Sequence, residues 1–248
     1  MEQRLAGKVV LITGGARRVG AAITRKLHAA GASVVVHYHR SAQAAQDLAA
    51  ELNAARPGSV TPLGGDLLKV PLLGALVEAT IARHGHLDIL VNNASTFYPT
   101  RVGEITEAHW EDLMGTNLRA PLFLSQAAAP HLAAREGLIL NIADIHGIRP
   151  LRYHPVYSPA KAGLIMLTQS LARELAPQVR VNAIAPGPVE FPDKGLTDDM
   201  KQAIIDKTLL KRRGSPEDIA RAALFFAAEA PYVTGQILAV DGGRSANA

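Results

Sequence analysis

Tyr157 and Lys161 stand four residues apart in the stretch Tyr157-Ser-Pro-Ala-Lys161. On a helix that spacing puts a phenol and an ammonium on one face, one turn apart. An ammonium held near a phenol lowers its pKa, so the pair is expected to pass a proton near neutral pH. Asp144, thirteen residues before the tyrosine, ends the run Asn141-Ile-Ala-Asp144 and adds a carboxyl group. Near the start of the chain, Thr13-Gly-Gly-Ala-Arg-Arg-Val-Gly20 joins an apolar run to a helical pattern. Glycines allow a tight turn and close backbone approach, so a pyrophosphate can rest on the helix N-terminus. Glycines alone are a weak signal, because any strand-to-helix turn can hold them.

These groups need elements to position them, and the hydrophobic pattern supplies a regular series. Short β-rich runs alternate with longer helical patterns, as in parallel βαβ units. Strands are expected near 8–13, 33–38, 59–63, 87–92, 137–142, 179–184 and 236–240, with helices near 19–30, 42–55, 71–84, 104–114, 117–134, 156–175, 198–206 and 216–228. Runs such as Val9-Val-Leu-Ile12 are continuously apolar, as expected of strands covered on both faces. Pro159 fits the Tyr157 helix only within its first turn, so that helix should begin near Pro155 or Val156. The expected fold is α/β: one doubly wound Rossmann domain over 1–248 with a seven-stranded parallel sheet. Ligands of such sheets bind beyond the carboxyl ends of the strands. The proline-broken stretch from Pro186 to Lys194 is a candidate substrate loop, extending to about 213.

Composition narrows the function. Of 248 residues, 48% are hydrophobic and 19% charged, which excludes a disordered chain. There is no cysteine, so disulfides, thiolate metal sites and cysteine nucleophiles are excluded, and no metal is expected. The net charge of +4 is scattered along the chain, which suits a solvated surface or small anionic ligands better than nucleic acid. No run approaches a membrane span, and a cytoplasmic protein is expected.

The end of the second strand separates the two nicotinamide cofactors. An NAD enzyme offers an acid there to the ribose hydroxyls. Here Val36-His-Tyr-His-Arg-Ser41 has none before Asp47. Arg18, Arg40 and Ser41 can instead form a cationic cradle for a 2′-phosphate, which points to NADPH.

Together these residues resemble the short-chain dehydrogenase/reductase family, whose members carry a serine where this chain has Asp144. The exchange, with Arg18, His37-Tyr-His-Arg-Ser41, Leu52-Asn-Ala-Ala-Arg-Pro57 and Val91-Asn-Asn-Ala-Ser-Thr-Phe-Tyr-Pro-Thr100, resembles the pteridine reductase branch. Asp241-Gly-Gly243 is a family-wide feature. The resemblance implies that Tyr157 donates a proton, Lys161 bonds the nicotinamide ribose, and Asn117 holds a water in a relay. Asp144 would work with Tyr157 in protonating ring nitrogens, and Phe97 would stack on the pterin, with Ser95 beside it. Cofactor contacts are implied for Gly14, Arg17, Arg18, Val19, Gly20, His39, Arg40, Ser41, Asp66, Asn93, Ala94, Ser95, Tyr157, Lys161, Pro186 and Gly187. Asp66 would bond the adenine, and Asn93 to Ser95 would pack along the ribose.

The chemistry makes sense of the aspartate. A ketone reductase stabilises a developing alkoxide, which a serine hydroxyl can do. Reduction of a C=N bond needs a proton on nitrogen, which a carboxyl group can supply or relay. The expected activity is therefore NADPH-dependent reduction of a pterin or folate in a homotetramer. Two alternatives stay open: a carbonyl reductase of the same family, for example on 3-oxoacyl thioesters, and a non-catalytic NADPH-binding regulator. The complete set of Asn117, Tyr157 and Lys161 argues against the regulator.

Overall fold

The computed structural model describes residues 3–191 and 196–247. Seven parallel strands form one sheet in the order β3-β2-β1-β4-β5-β6-β7. They are β1 (Val9–Ile12), β2 (Ser33–Tyr38), β3 (Val60–Gly64), β4 (Ile89–Asn92), β5 (Leu138–Ile142), β6 (Arg180–Pro186) and β7 (Ile237–Val240). The helices are α1 (Arg18–Ala29), α2 (Ala42–Ala55), α3 (Leu73–His84), α4 (Glu107–Met114), α5 (Ala120–Ala133), α6 (Tyr157–Leu175), α7 (Asp198–Asp206) and α8 (Pro216–Ala228). The expected doubly wound Rossmann sheet is thus the observed one.

The apolar runs are continuous because both faces of each central strand are covered. Val10 and Ile12 of β1 pack in one core with Ile23 and Leu27 of α1 and Phe226 of α8. Leu11, between them, points the other way, into a core with Val77 of α3 and Leu124 and Leu132 of α5. Alternate residues of one strand therefore serve opposite layers.

β1 pairs with β2 on one side and β4 on the other, so the chain reverses its direction of travel across the sheet between them. The crevice beyond the carboxyl ends of β1 and β4 is where such a sheet opens to ligands.

Three local details differ from the sequence reading. The helices expected at 104–114 and 117–134 are joined by a π turn, Gly115–Arg119. α4 starts at Glu107 rather than 104 because Thr106 and His109 form a reciprocal cap, with His109 N–H donating to the Thr106 hydroxyl at 3.2 Å. A 3-10 turn, Ile145–Gly147, follows β5 and was not anticipated. Of the expected substrate loop, Gly187–Phe191 and the segment from 196 through α7 to 213 are described, while 192–195 lie outside the described residues.

Candidate active site

The glycine loop is held from behind. Gly14 has φ +60°, where only glycine sits without strain, and an added Cβ would lie 3.0 Å from Ala94 Cα. At Gly20 a Cβ would come within 2.2 Å of the Gly14 carbonyl oxygen, so α1 packs this close only through glycine. The side-chain amide of Asn93 donates to the Thr13 and Gly14 carbonyls at 2.9 and 3.0 Å. The Thr13 hydroxyl accepts from the backbone of Asn93 and Ala94, at 3.0 Å each. Asn93 and Ala94 therefore brace the loop, more than the simple packing along a ribose that the sequence suggested.

His37 adds a tie that the sequence reading missed. Its Nδ1 accepts from Gly14 N–H at 3.3 Å and its Nε2 faces the Gly65 carbonyl at 3.1 Å. That geometry needs a neutral imidazole with the proton on Nε2. Burial pushes its pKa down to about 4, which fits. A histidine between apolar strand residues gives no sequence signal of such a role. Asp66, just beyond, accepts from Leu68 N–H at 3.0 Å and so shapes the turn after β3.

These residues fit a nucleotide cofactor. The loop presents backbone free of Cβ atoms, and Arg17, Arg18, His39 and Arg40 are all exposed around it, with Val19 and Ser41 half-buried. α1 has no side-chain cap and no acid in its first turn, leaving its end suited to an anion. Arg18 Nε lies 3.7 Å from a carboxylate oxygen of Glu190 on the loop after β6. Pro186 ends β6, and Gly187 packs on Asp241, where a Cβ would meet Asp241 Cβ at 2.5 Å.

At the carboxyl ends of β4 and β5 the reactive groups converge. The Tyr157 hydroxyl donates to Asp144 Oδ2 at 2.8 Å, and Oδ1 of the same carboxylate accepts from His146 N–H at 2.7 Å. Lys161, only 2% exposed, donates to the Ile142 carbonyl at 2.9 Å. Pro159 falls in the first turn of α6, which begins at Tyr157, slightly later than expected.

The electrostatics correct one expectation. Tyr157 does not have a lowered pKa: burial, then the charge of Asp144 and the hydrogen bond to it, push the phenol well above its ordinary range, against a smaller opposing contribution from Ser95. Lys161 Nζ lies 5.8 Å from the centre of the same ring. Burial lowers the Lys161 ammonium to about 8, with Asp144 acting the other way.

Asn117 lies in the π turn, fully buried, and its side chain is committed. Nδ2 donates to the carbonyls of Thr96 and Leu113 at 3.0 and 2.9 Å, while Oδ1 accepts from the Ser95 hydroxyl at 2.6 Å. The amide therefore braces the segment after β4.

Phe97 is 47% exposed, so it is not a core residue. Its ring stands edge-on to Tyr157 at 4.8 Å and lies nearly parallel to His154 at 4.7 Å and 13°. His154 was not singled out from sequence. It is 9% exposed, its Nδ1 faces the Arg152 carbonyl at 2.8 Å, and its Nε2 has no hydrogen-bond partner among the described residues. It backs Phe97 as a second flat layer.

Comparison with known proteins bears on this arrangement. Residues 14–245 match the family model described as Enoyl-(Acyl carrier protein) reductase. The chain is 36% identical to Pteridine reductase 1 of Leishmania tarentolae, over 96% of each protein. It is 34% identical to the 3-oxoacyl-[acyl-carrier-protein] reductase FabG of Chlamydia muridarum, over 99% of this chain and 100% of that one. Among solved structures, a blue fluorescent protein from a metagenomic library, in complex with NADPH, superposes with a TM-score of 0.91 at 33% identity, covering 97% of this chain and 99% of that one. A short-chain dehydrogenase/reductase from Serratia marcescens gives the same TM-score and identity over 98% and 99%.

Proposed function

The chain belongs to the short-chain dehydrogenase/reductase family of NAD(P)-dependent oxidoreductases, and we propose that within it the protein is an NADPH-dependent pteridine reductase. The observation that carries this reading is the 2.8 Å bond from the Tyr157 hydroxyl to Asp144, with the Phe97 ring edge-on to the same phenol. A carboxylate paired with a phenol is suited to putting a proton on nitrogen, and an exposed ring beside it is suited to a flat heterocycle.

The reduced nicotinamide, when bound, supplies a hydride to the carbon of a C=N bond. Tyr157 stays protonated at neutral pH because its pKa is raised, so it acts as donor and not as phenolate. Asp144 accepts from it and holds the hydroxyl in place, and the proton in that bond is the one passed to ring nitrogen. His146 N–H fixes the other carboxylate oxygen, which keeps the pair aligned. Lys161 provides a buried cation that orients the ribose side of the site. Arg18, Arg40 and Ser41 would hold the 2′-phosphate, with Arg17 and His39 beside them, and Phe97, backed by His154, would cover the substrate ring.

The similar identity to a 3-oxoacyl thioester reductase supports a second reading, carbonyl reduction by the same Tyr157 and Lys161. NADPH oxidation by the purified protein, measured with dihydrobiopterin, dihydrofolate and acetoacetyl thioester, separates the two. Turnover of the pterins with little thioester reduction is expected, and the reverse pattern would favour the carbonyl reductase. A homotetramer is part of the same proposal, supported by the exposed Leu122 of α5 and Met166 of α6. Sedimentation at working concentration tests it, and a monomer would reject it.

A further inference from the structure

A cavity of about 340 Å³ lies between the turn that follows Asp144 and the C-terminal tail. Arg149 of that turn, Lys207 after α7 and Arg244 of the tail line it, together with His146, Ser245 and Asn247. Among the described residues no carboxylate does. Among the described residues none of the three cations forms an ion pair, whereas other surface arginines do, such as Arg25 with Glu51 and Arg119 with Glu111.

The guanidinium groups are oriented without being neutralised. Arg149 Nη1 donates to the Asn247 carbonyl at 3.1 Å, and Arg244 Nη1 to the Ile204 carbonyl at 3.0 Å. Asn247 Nδ2 donates to the Lys207 carbonyl at 3.0 Å, fastening the tail against the residue that carries the ammonium. Nearby carboxylates are otherwise engaged. Asp241 accepts from Gly243 and Ser245 N–H, Asp206 from Gln202, and Asp144 from His146 and Tyr157. Three cationic residues line this one cavity, and like charges so placed repel one another unless an anion joins them.

We propose that this cavity is a binding site for a small anion of two or more charges, a phosphate or a polycarboxylate. Arg149, Arg244 and Lys207 would supply charge-assisted donors, and Ser245 and Asn247 would add neutral polar groups. The site adjoins the catalytic turn through His146 but is separate from the nucleotide loop, and it does not depend on which substrate the enzyme reduces.

Calorimetric titration with inorganic phosphate and with citrate tests this, on protein saturated with NADP⁺ to occupy the other phosphate site and at ionic strength held constant with sodium chloride. One equivalent per chain should bind, and the stronger of the two ligands identifies the anion class. In Arg149→Ala/Lys207→Ala binding should weaken about tenfold to a hundredfold, while Arg40→Ala leaves it unchanged. If the double variant melts lower without anion, Lys207→Gln takes its place, with weaker binding again expected. Absence of binding to the unmodified protein, or undiminished binding in the cavity variants, would overturn the proposal. So would a change of subunit assembly in the variants with no anion effect, since the cations would then serve a contact between chains.

Discussion

Asp88 and Asp144 flank neighbouring strands of one parallel sheet, at opposite ends, and the sheet uses them in opposite ways. Asp88 precedes β4 and is 2% exposed. Lys8 Nζ at 2.9 Å and Arg135 Nε at 3.2 Å bond its Oδ1, while Val9 N–H at 2.9 Å bonds Oδ2. Burial opposes its ionisation, but these donors outweigh it and hold the carboxyl below its ordinary range. Asp144 follows β5, is half-buried, and bonds two neutral donors, a backbone N–H and a phenol. A carboxylate surrounded by cations is a staple, fixed in charge and position. One held by a phenol instead aligns a hydroxyl that we assign as the proton donor. The amino end of the sheet is built for stability, and the carboxyl end for reaction.

Substitutions at the two ends should therefore fail differently. The largest effect belongs to Tyr157→Phe, which removes the proton donor and should lower kcat about 10²- to 10⁴-fold. Circular dichroism should show little change in its melting temperature. A variant that lost stability and kept its rate would break the contrast.

Arg40→Ala sharpens the contrast within the carboxyl end. Loss of a charge-assisted contact to the 2′-phosphate should weaken NADPH by about tenfold to a hundredfold, with NADH nearly unaffected. Equal efficiency of the unmodified enzyme with NADH and NADPH would remove the basis for this assignment.

At the amino end, Asp88→Asn should cost about 1–3 kcal/mol of stability, since it weakens buried charge-assisted bonds, with kcat unchanged. The same residue sets a pH dependence. Its folded-state pKa is depressed, so its contribution is complete above the unfolded value and is lost as pH falls through the folded one. The unmodified protein should lose this stability on acidification below about pH 4, and Asp88→Asn should show a flatter profile in urea melts.

The smallest effect is expected at Phe97. Stacking contributes about 0.5–1.5 kcal/mol beyond area burial, so Phe97→Ala should raise the pterin KM several-fold with the melting temperature nearly constant. Its exposure already argues against a core role. A large fall in melting temperature with an unaltered KM would contradict the stacking assignment.

The sheet was legible because its strands are buried on both faces and so read as unbroken apolar runs, such as Val9–Ile12 and Leu138–Ile142. The residues of the site were legible by type and spacing, as with Tyr157, Lys161 and the glycine loop. Their partners were not. That Lys161 bonds the Ile142 carbonyl, and Tyr157 bonds Asp144, depends on how α6 docks on β5, so the sign of the tyrosine shift could not be read in advance. His37 and His154 act through contacts distant in sequence, with Gly65 and Phe97, and a lone histidine carries no periodic signal. The commitment of Asn117 follows from the π turn, which a helical pattern does not disclose.

The most direct test of the central claim is the rate of dihydrobiopterin reduction by Asp144→Ser, measured beside its affinity for NADPH. If the carboxylate aligns and shares the proton destined for nitrogen, the variant loses most of its pterin turnover while binding NADPH as before. Undiminished turnover in Asp144→Ser would show that the aspartate is incidental and would contradict the account.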